Sequence, residues 1–427
     1  MVGYITKSRS KAIFFIATGI WFYRILLDYL YVQTVVPLFG YSGFHANNQI
    51  NKYFLSWVIL FIFTPIIIKM FKKSTLSSLI IILLSFLSFI PFTCMIAFHS
   101  YTTEFIISNI VYWLALFIFY NTIPTIKLVR VTNDKFIKLI LSLIVLIFFA
   151  VILFISWRYT GFRLSINLMN VYDIRSEATM YQLPSFLSYI YSASKAINPV
   201  LIVYFMSRKK YSIASFIFFI QLLSFSINGS KTVFFTTVLA VLLYWIYNDN
   251  LKNKLPWFFF LISLLGLLEF YIVKSYLIIG FIIRRVFFVP NLLNYYYYDF
   301  FSIHTPDYLK QSFLRHIGFE SPYIPIDNLI ATIYFGKPDM GANNGLFSDA
   351  YANFGIFGLL IMPLLVVLSF KFFDACSEGL DTKIFIVSGI TLAFIFISSF
   401  FFTVLFTHGF LALCLILYLL PRDKLYR

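Results

Sequence analysis

From Leu139 to Ile155 every residue except Ser142 is apolar, and nearly unbroken runs of this kind recur along the chain. Wound as a helix, such a run is long enough to cross the roughly 30 Å hydrocarbon core of a bilayer. Hydrophobic residues make up 61% of the chain and charged ones only 12%, whereas a soluble domain is close to half apolar and about a quarter charged. No soluble fold hides that much Phe, Leu and Ile, so the bilayer must act as the solvent. In lipid the backbone has to satisfy its own hydrogen bonds, which leaves helices or a closed barrel. Barrel strands alternate apolar and polar residues and these runs do not. The expected fold class is therefore all-α, a polytopic transmembrane helix bundle.

Reading apolar runs between charge and turn residues predicts twelve helices, near 12–34, 53–70, 75–98, 104–125, 136–156, 184–206, 211–227, 231–247, 256–276, 346–370, 383–400 and 404–420. They form one integral membrane domain over 1–427. The first run already contains Arg24 and Asp28 and continues past any small-residue cleavage site, so it is expected to stay rather than to act as a cleaved signal. A net charge of +16 in a soluble protein would point to nucleic acid, but here the cations must first be divided between two membrane faces. Lys7, Arg9, Lys11, Lys69, Lys72, Lys73, Lys127, Arg130, Lys135, Lys138, Arg208, Lys209, Lys210, Lys252, Lys254, Arg422, Lys424 and Arg427 all fall on one side of the twelve-helix arrangement. By the positive-inside rule that side is cytoplasmic, and both termini are inside. No nucleic-acid partner is expected.

Two longer connections, 157–183 and about 275–345, are then external, and they break the pattern by carrying Arg158, Arg163 and Arg175, and Arg284, Arg285, Lys310, Arg315 and Lys337. As a group these cations suggest an anion-binding surface. Within Val171-Tyr172-Asp173-Ile174-Arg175 the guanidinium offers a planar fork for phosphate oxygens, with Asp173 placed to orient it. Asn228-Gly229-Ser230-Lys231 reads as a tight turn into a helix, where backbone N–H groups, a hydroxyl and an ammonium can hold an anion, or equally as a plain helix cap. Arg284-Arg285 precedes Asn294-Tyr295-Tyr296-Tyr297-Tyr298-Asp299, a mixture that suits a phosphorylated glycan and equally a membrane-interface belt. The stretch Gly341 to Gly358 places Asn344, Ser348 and Tyr351 on one helical face with Asp349 and Asn353 beside them. Polar groups at the mouth of an apolar helix point to a water-filled cavity. Arg24 and Asp28 lie four apart and face the same side, either as an ion pair that fixes packing or as part of a sugar-bearing cavity. His304, His316, Asp307, Glu320 and Asp327 fit no metal spacing, and the chain has no Walker loop, Rossmann fingerprint, HExxH or nucleophile elbow. Neither metal nor cofactor is expected. There is no repeat relating the two halves, which weighs against a duplicated transporter.

In the order of these segments the chain resembles the O-antigen polymerase (Wzy-type) family of oligosaccharide repeat-unit polymerases. The resemblance rests on the region Tyr31 to Phe44, on Val171 to Arg175, on Gly229-Ser230-Lys231, on Arg284/Arg285 to Pro290 and on Asn344 to Gly358. Members often carry Gly-Ser-Arg where this chain has Gly229-Ser230-Lys231, which keeps the charge and loses the bidentate fork. The related O-antigen ligases carry a His at the head of a block ending in Gly-x-x-Gly. Here Asn343-Asn344-Gly345 stand in that place before Gly355.

The resemblance implies a glycosyltransferase of the inner (plasma) membrane that uses no nucleotide sugar. The growing glycan on undecaprenyl pyrophosphate is the donor and a new lipid-linked repeat unit the acceptor, in O-antigen or capsule biosynthesis. On that reading Arg175, Arg284 and Arg285 hold the donor pyrophosphate and stabilise the charge on its departure, and Asp173 or Asp349 accepts the hydroxyl proton. Arg158, Arg163, Tyr172, Lys231, Tyr297, Asn344 and Tyr351 line the substrate. Membrane lipid and a chain-length regulator are the implied partners. The rival expectations are a flippase of lipid-linked oligosaccharide, whose cations should lie within helices along a crossing path, and an O-antigen ligase, which the missing His disfavours.

Overall fold

The computed structural model describes residues 2–47, 49–131, 134–164 and 171–422. About 80% of the chain is helical, with no strand among the described residues. Among the described residues nine helices are long and apolar enough to cross a membrane: Ser10–Ser42, Ile50–Phe71, Leu76–Phe98, Thr103–Thr122, Lys135–Thr160, Ser185–Ser207, Tyr211–Asn228, Asn250–Val273 and Phe347–Ser377. Three segments expected as spans form the shorter apolar helices Lys231–Ile246, Thr382–Ser398 and Phe410–Leu419. The protein is a membrane-embedded helical bundle. Its outward faces agree with this: along Ile50–Phe71 the exposed positions include Phe54, Val58, Phe61 and Ile62, while Ile59, Leu60, Phe63, Thr64 and Ile67 are buried. That apolar stripe at helical spacing would be untenable in water and is what lipid requires.

The chain divides into two compact units. The first comprises Met1–Pro124, Asn248–Leu368 and Phe396–Phe401. Its central element is Leu76–Phe98, every residue of whose most apolar window is buried. The helix is interrupted by a π turn over Ser85–Phe89, and Pro91 follows. Against it pack Ile50–Phe71, the first helix and the segments Ile279–Phe288 and Val289–Ile303. Arg24 is completely buried and pairs with Asp28. Its guanidinium also donates to the Thr93 hydroxyl (3.1 Å), the Thr93 carbonyl (2.8 Å) and the Ser56 hydroxyl (3.0 Å), and it lies over the Trp57 ring. With its donors spent on neighbouring helices, Arg24 serves as a packing joint, the first of its two sequence readings.

The second unit comprises Thr125–Tyr247, Ser369–Ile395 and Phe402–Arg427. Ser185–Ser207 is its hub, touching Tyr211–Asn228, Lys231–Ile246, Phe410–Leu419 and Asp134–Ile155. In both units, basic residues tie down helix ends. Lys252 donates to the carbonyls of Met70 (3.2 Å) and Lys73 (2.6 Å), closing the end of Ile50–Phe71. Arg130 donates to the Ala375 and Tyr418 carbonyls at 2.9 and 3.1 Å, and Arg422 to the Cys376 carbonyl at 2.7 Å. A helix C-terminus leaves carbonyls unpaired and carries partial negative charge, so cations are held there at little cost.

Candidate functional site in the first unit

The stretch 275–345, whose charges and tyrosines read as a loop, is itself largely helical. It contains the π-helical segment Ile279–Phe288, the tyrosine-rich helix Val289–Ile303 and the helix Ile326–Phe335. Pro290 starts the tyrosine-rich helix at a position where a missing N–H costs nothing. Asn291 anchors it, donating to the Ser88 carbonyl (3.1 Å) inside the π turn of the buried helix. The Tyr101 hydroxyl in turn donates to the Asn291 carbonyl at 3.0 Å.

One face of this helix closes on the Gly341 to Phe354 stretch. The Asn344 amide nitrogen lies 2.9 Å from the Pro290 carbonyl, 2.9 Å from Asn294 Oδ1 and 2.8 Å from the Ser348 hydroxyl, which donates to Asn294 Oδ1 at 2.9 Å. Asp349, only 2% exposed, accepts from Asn353 Nδ2 at 2.7 Å and from the Phe401 N–H at 2.5 Å. Tyr297 is buried and donates to the Ala342 carbonyl at 3.1 Å. The backbone bends sharply here: Leu346 has φ +49°, and a Cβ on Gly345 would collide with the carbonyls of Phe396 and Ser399. These polar groups therefore do not line a water-filled cavity as expected. Their hydrogen-bonding capacity is turned inward to hold a non-helical turn, since buried polar groups in lipid must find partners. Asn344, Asp349 and Tyr297 are thus enclosed, with hydrogen-bond partners inside the first unit.

The remaining positions of the tyrosine-rich helix carry the accessible chemistry. Tyr296 and Tyr334 stack at 4.3 Å with 9° between their planes, and Tyr334 donates to Asp299 Oδ2 at 2.6 Å. Burial and this bond to Asp299 push the Tyr334 hydroxyl well above its ordinary value, so it stays a donor. Tyr298 packs on Tyr351 at 4.9 Å. Arg284 and Arg285 are successive on Ile279–Phe288 and so diverge. Arg285 is exposed. Arg284 is half-buried with its guanidinium 4.5 Å from the Phe39 ring centre, and its Nε is buried with no partner among the described residues. Tyr334 escaped sequence reasoning because its partners Tyr296 and Asp299 are remote in the chain. Asp307, fully buried, accepts from Ser321 at 2.5 Å and from the Gln311 N–H at 2.8 Å.

The remaining expected site residues belong to the second unit. Val171–Thr179 is a helix, so Asp173 and Arg175, two apart, point in different directions and Asp173 does not orient the guanidinium. Both are exposed. The side chain of Tyr172 lies outside the described residues. Arg163 is bound by Glu177 at 2.6 Å, and Glu177 also accepts from the Tyr181 hydroxyl at 2.9 Å. Those two bonds hold the Glu177 carboxyl below the usual carboxylate range. The exposed Arg158 guanidinium lies 5.8 Å from the Tyr159 ring centre. Lys231 is exposed after a turn in which Gly229 has φ +62° and Asn228 Oδ1 accepts from the Ser230 N–H at 3.1 Å. Among the described residues no group of three or more His, Cys, Asp or Glu could hold a metal. No protein-family model, no curated protein and no solved structure matches this chain.

Proposed function

We propose that the protein is a polymerase of lipid-linked oligosaccharide repeat units, a twelve-span enzyme of the plasma membrane with both termini in the cytoplasm and 275–345 outside. The observation that carries this reading is the tyrosine-rich helix with its adjoining cations. That helix presents Tyr296 and Tyr298, and the helix Ile326–Phe335 adds Tyr334, as aromatic groups against which sugar rings pack, beside Arg285 in the open and an Arg284 whose Nε has no partner among the described residues. Guanidinium groups so placed suit the donor pyrophosphate. In the reaction the acceptor hydroxyl oxygen attacks the anomeric carbon of the donor glycan. The bond from that carbon to the pyrophosphate oxygen breaks, undecaprenyl pyrophosphate leaves with the electron pair, and the hydroxyl proton passes to a base. Cations stabilise the charge that grows on the leaving oxygen. The resemblance assigns that base to Asp173 or Asp349, of which Asp349 is enclosed and Asp173 exposed. The resemblance gives Arg175 a place among the pyrophosphate ligands.

The test is an in vitro reaction of the purified full chain with a lipid-pyrophosphate-linked repeat unit. Wild type should yield a ladder of longer glycans, and Arg285→Ala or Arg175→Ala should slow it at least ten-fold, the loss of one charge-stabilising contact. Absence of a ladder, with the same substrate moving between leaflets of proteoliposomes, would replace the polymerase by a flippase.

A further inference from the structure

The second unit contains a small pocket lined by Lys195, Thr236, Ser388, Thr391 and His408 among apolar residues such as Leu392 and Phe410. None of these residues has a part in the proposed polymerase, and the inference drawn from them does not rest on it. Lys195 sits near the middle of Ser185–Ser207, a helix that crosses the membrane. No carboxylate lines the pocket, and no ion pair of Lys195 is found among the described residues. Its ammonium lies over the Tyr191 ring, 4.4 Å from the centre, which leaves its three N–H donors unspent. An ionisable side chain at this depth is costly and marks a site unless a partner accounts for it.

The backbone around His408 is built to open this space. The π turn Thr403–Thr407 ends at His408, Gly409 follows with φ +76°, and the helix Phe410–Leu419 then begins with no side-chain cap. Gly409 approaches the Lys195 helix so closely that a Cβ there would come within 2.6 Å of the Ala193 Cα. A broken helix at membrane depth persists where it lines a cavity, and the N-terminus of its second half carries partial positive charge. Ammonium, imidazole, helix end and hydroxyls thus face one volume with no negative charge among its lining residues.

We propose that this pocket binds a single oxyanion of the phosphate or carboxylate class. The pocket is narrow, which limits the ligand to a single small headgroup. Lys195 supplies the charge, and the Ser388 hydroxyl a further donor.

The experiment measures the thermal unfolding midpoint of the full chain in phosphatidylcholine nanodiscs. One arm titrates inorganic phosphate and the other dopes the discs with phosphatidic acid, which separates a free anion from a lipid headgroup. A rise in midpoint in either arm is expected for wild type and for Lys195→Arg, with a several-fold weaker apparent affinity in Ser388→Ala and no rise in Lys195→Met. Should Lys195→Met not fold, the contrast between Lys195→Arg and Ser388→Ala carries the test. No rise in either arm for wild type overturns the proposal. So does a rise that is the same in Lys195→Met, or, if that variant does not fold, one undiminished in Ser388→Ala.

Discussion

Asp349 and His99 illustrate how enclosure decides what a polar residue can do. Asp349 accepts two N–H bonds, and Asn353 cannot turn over to help a substitute because its own Oδ1 accepts from the Leu309 N–H at 2.9 Å. Asp349→Asn would set an NH₂ group against a donor and should cost roughly 1–3 kcal/mol of stability, seen as a lower unfolding midpoint. Activity per folded molecule should persist. Lost activity at an unchanged midpoint would return Asp349 to a proton-accepting role. His99, just beyond the end of Leu76–Phe98, is held at about 3 by burial first and by the neighbouring His45 second, against an ordinary 6.5. Between those values the unfolded chain binds the proton and the folded one does not. Its stabilisation is therefore complete above 6.5 and declines as pH falls toward 3, by at most about 1.4 kcal/mol per pH unit. The midpoint should fall between pH 6.5 and 4, and His99→Asn should flatten that slope; an equal slope in both proteins would refute the assignment.

At the scale of elements, the turn that leads into Phe347–Phe354 depends on atoms that are absent. Gly345 lets its N–H reach the Ile397 carbonyl at 2.7 Å, and a methyl there would strike two carbonyls. Gly345→Ala should sharply reduce the yield of folded protein, measured as monodisperse material on gel filtration, whereas Gly161→Ala, with nothing within 4 Å, should not lose yield through a collision. In the second unit the short helix Val171–Thr179 is tied back by Glu177, so Glu177→Gln should quicken protease cleavage between 157 and 183. Wild type itself should be cleaved faster as pH drops below the Glu177 titration, which lies under 4.5. Long apolar runs such as 139–155 were fully legible in the sequence because length and composition alone define them. Helices inside 275–345 were not, since their tyrosines and cations resemble a loop and their stability comes from remote partners such as Ser88 with Asn291. Asn344 does meet Ser348, but across a non-helical turn rather than along a helical face, and the sequence could not say that the pair meets Asn294 rather than water.

For the molecule as a whole, the one-sided distribution of Lys and Arg predicts an orientation. A cysteine at Lys72 should be shielded from an impermeant thiol reagent in intact cells while one at Asp339 is labelled; the reverse pattern would invert the topology. Composition sufficed to identify a membrane bundle, because 61% hydrophobic residues admit little else. The division into two units was not legible, since each is assembled from segments distant in the chain. The enclosure of Leu76–Phe98 has a consequence for biogenesis. Part of its enclosing wall, Ile279–Phe288, is synthesised long after it, roughly ten to forty seconds later at about 5–20 residues per second. Until then the helix must lodge in lipid or beside the insertion machinery, with the Ser88 carbonyl of its π turn awaiting Asn291. Nascent chains arrested before Ile279 should therefore be the species most exposed to membrane quality control.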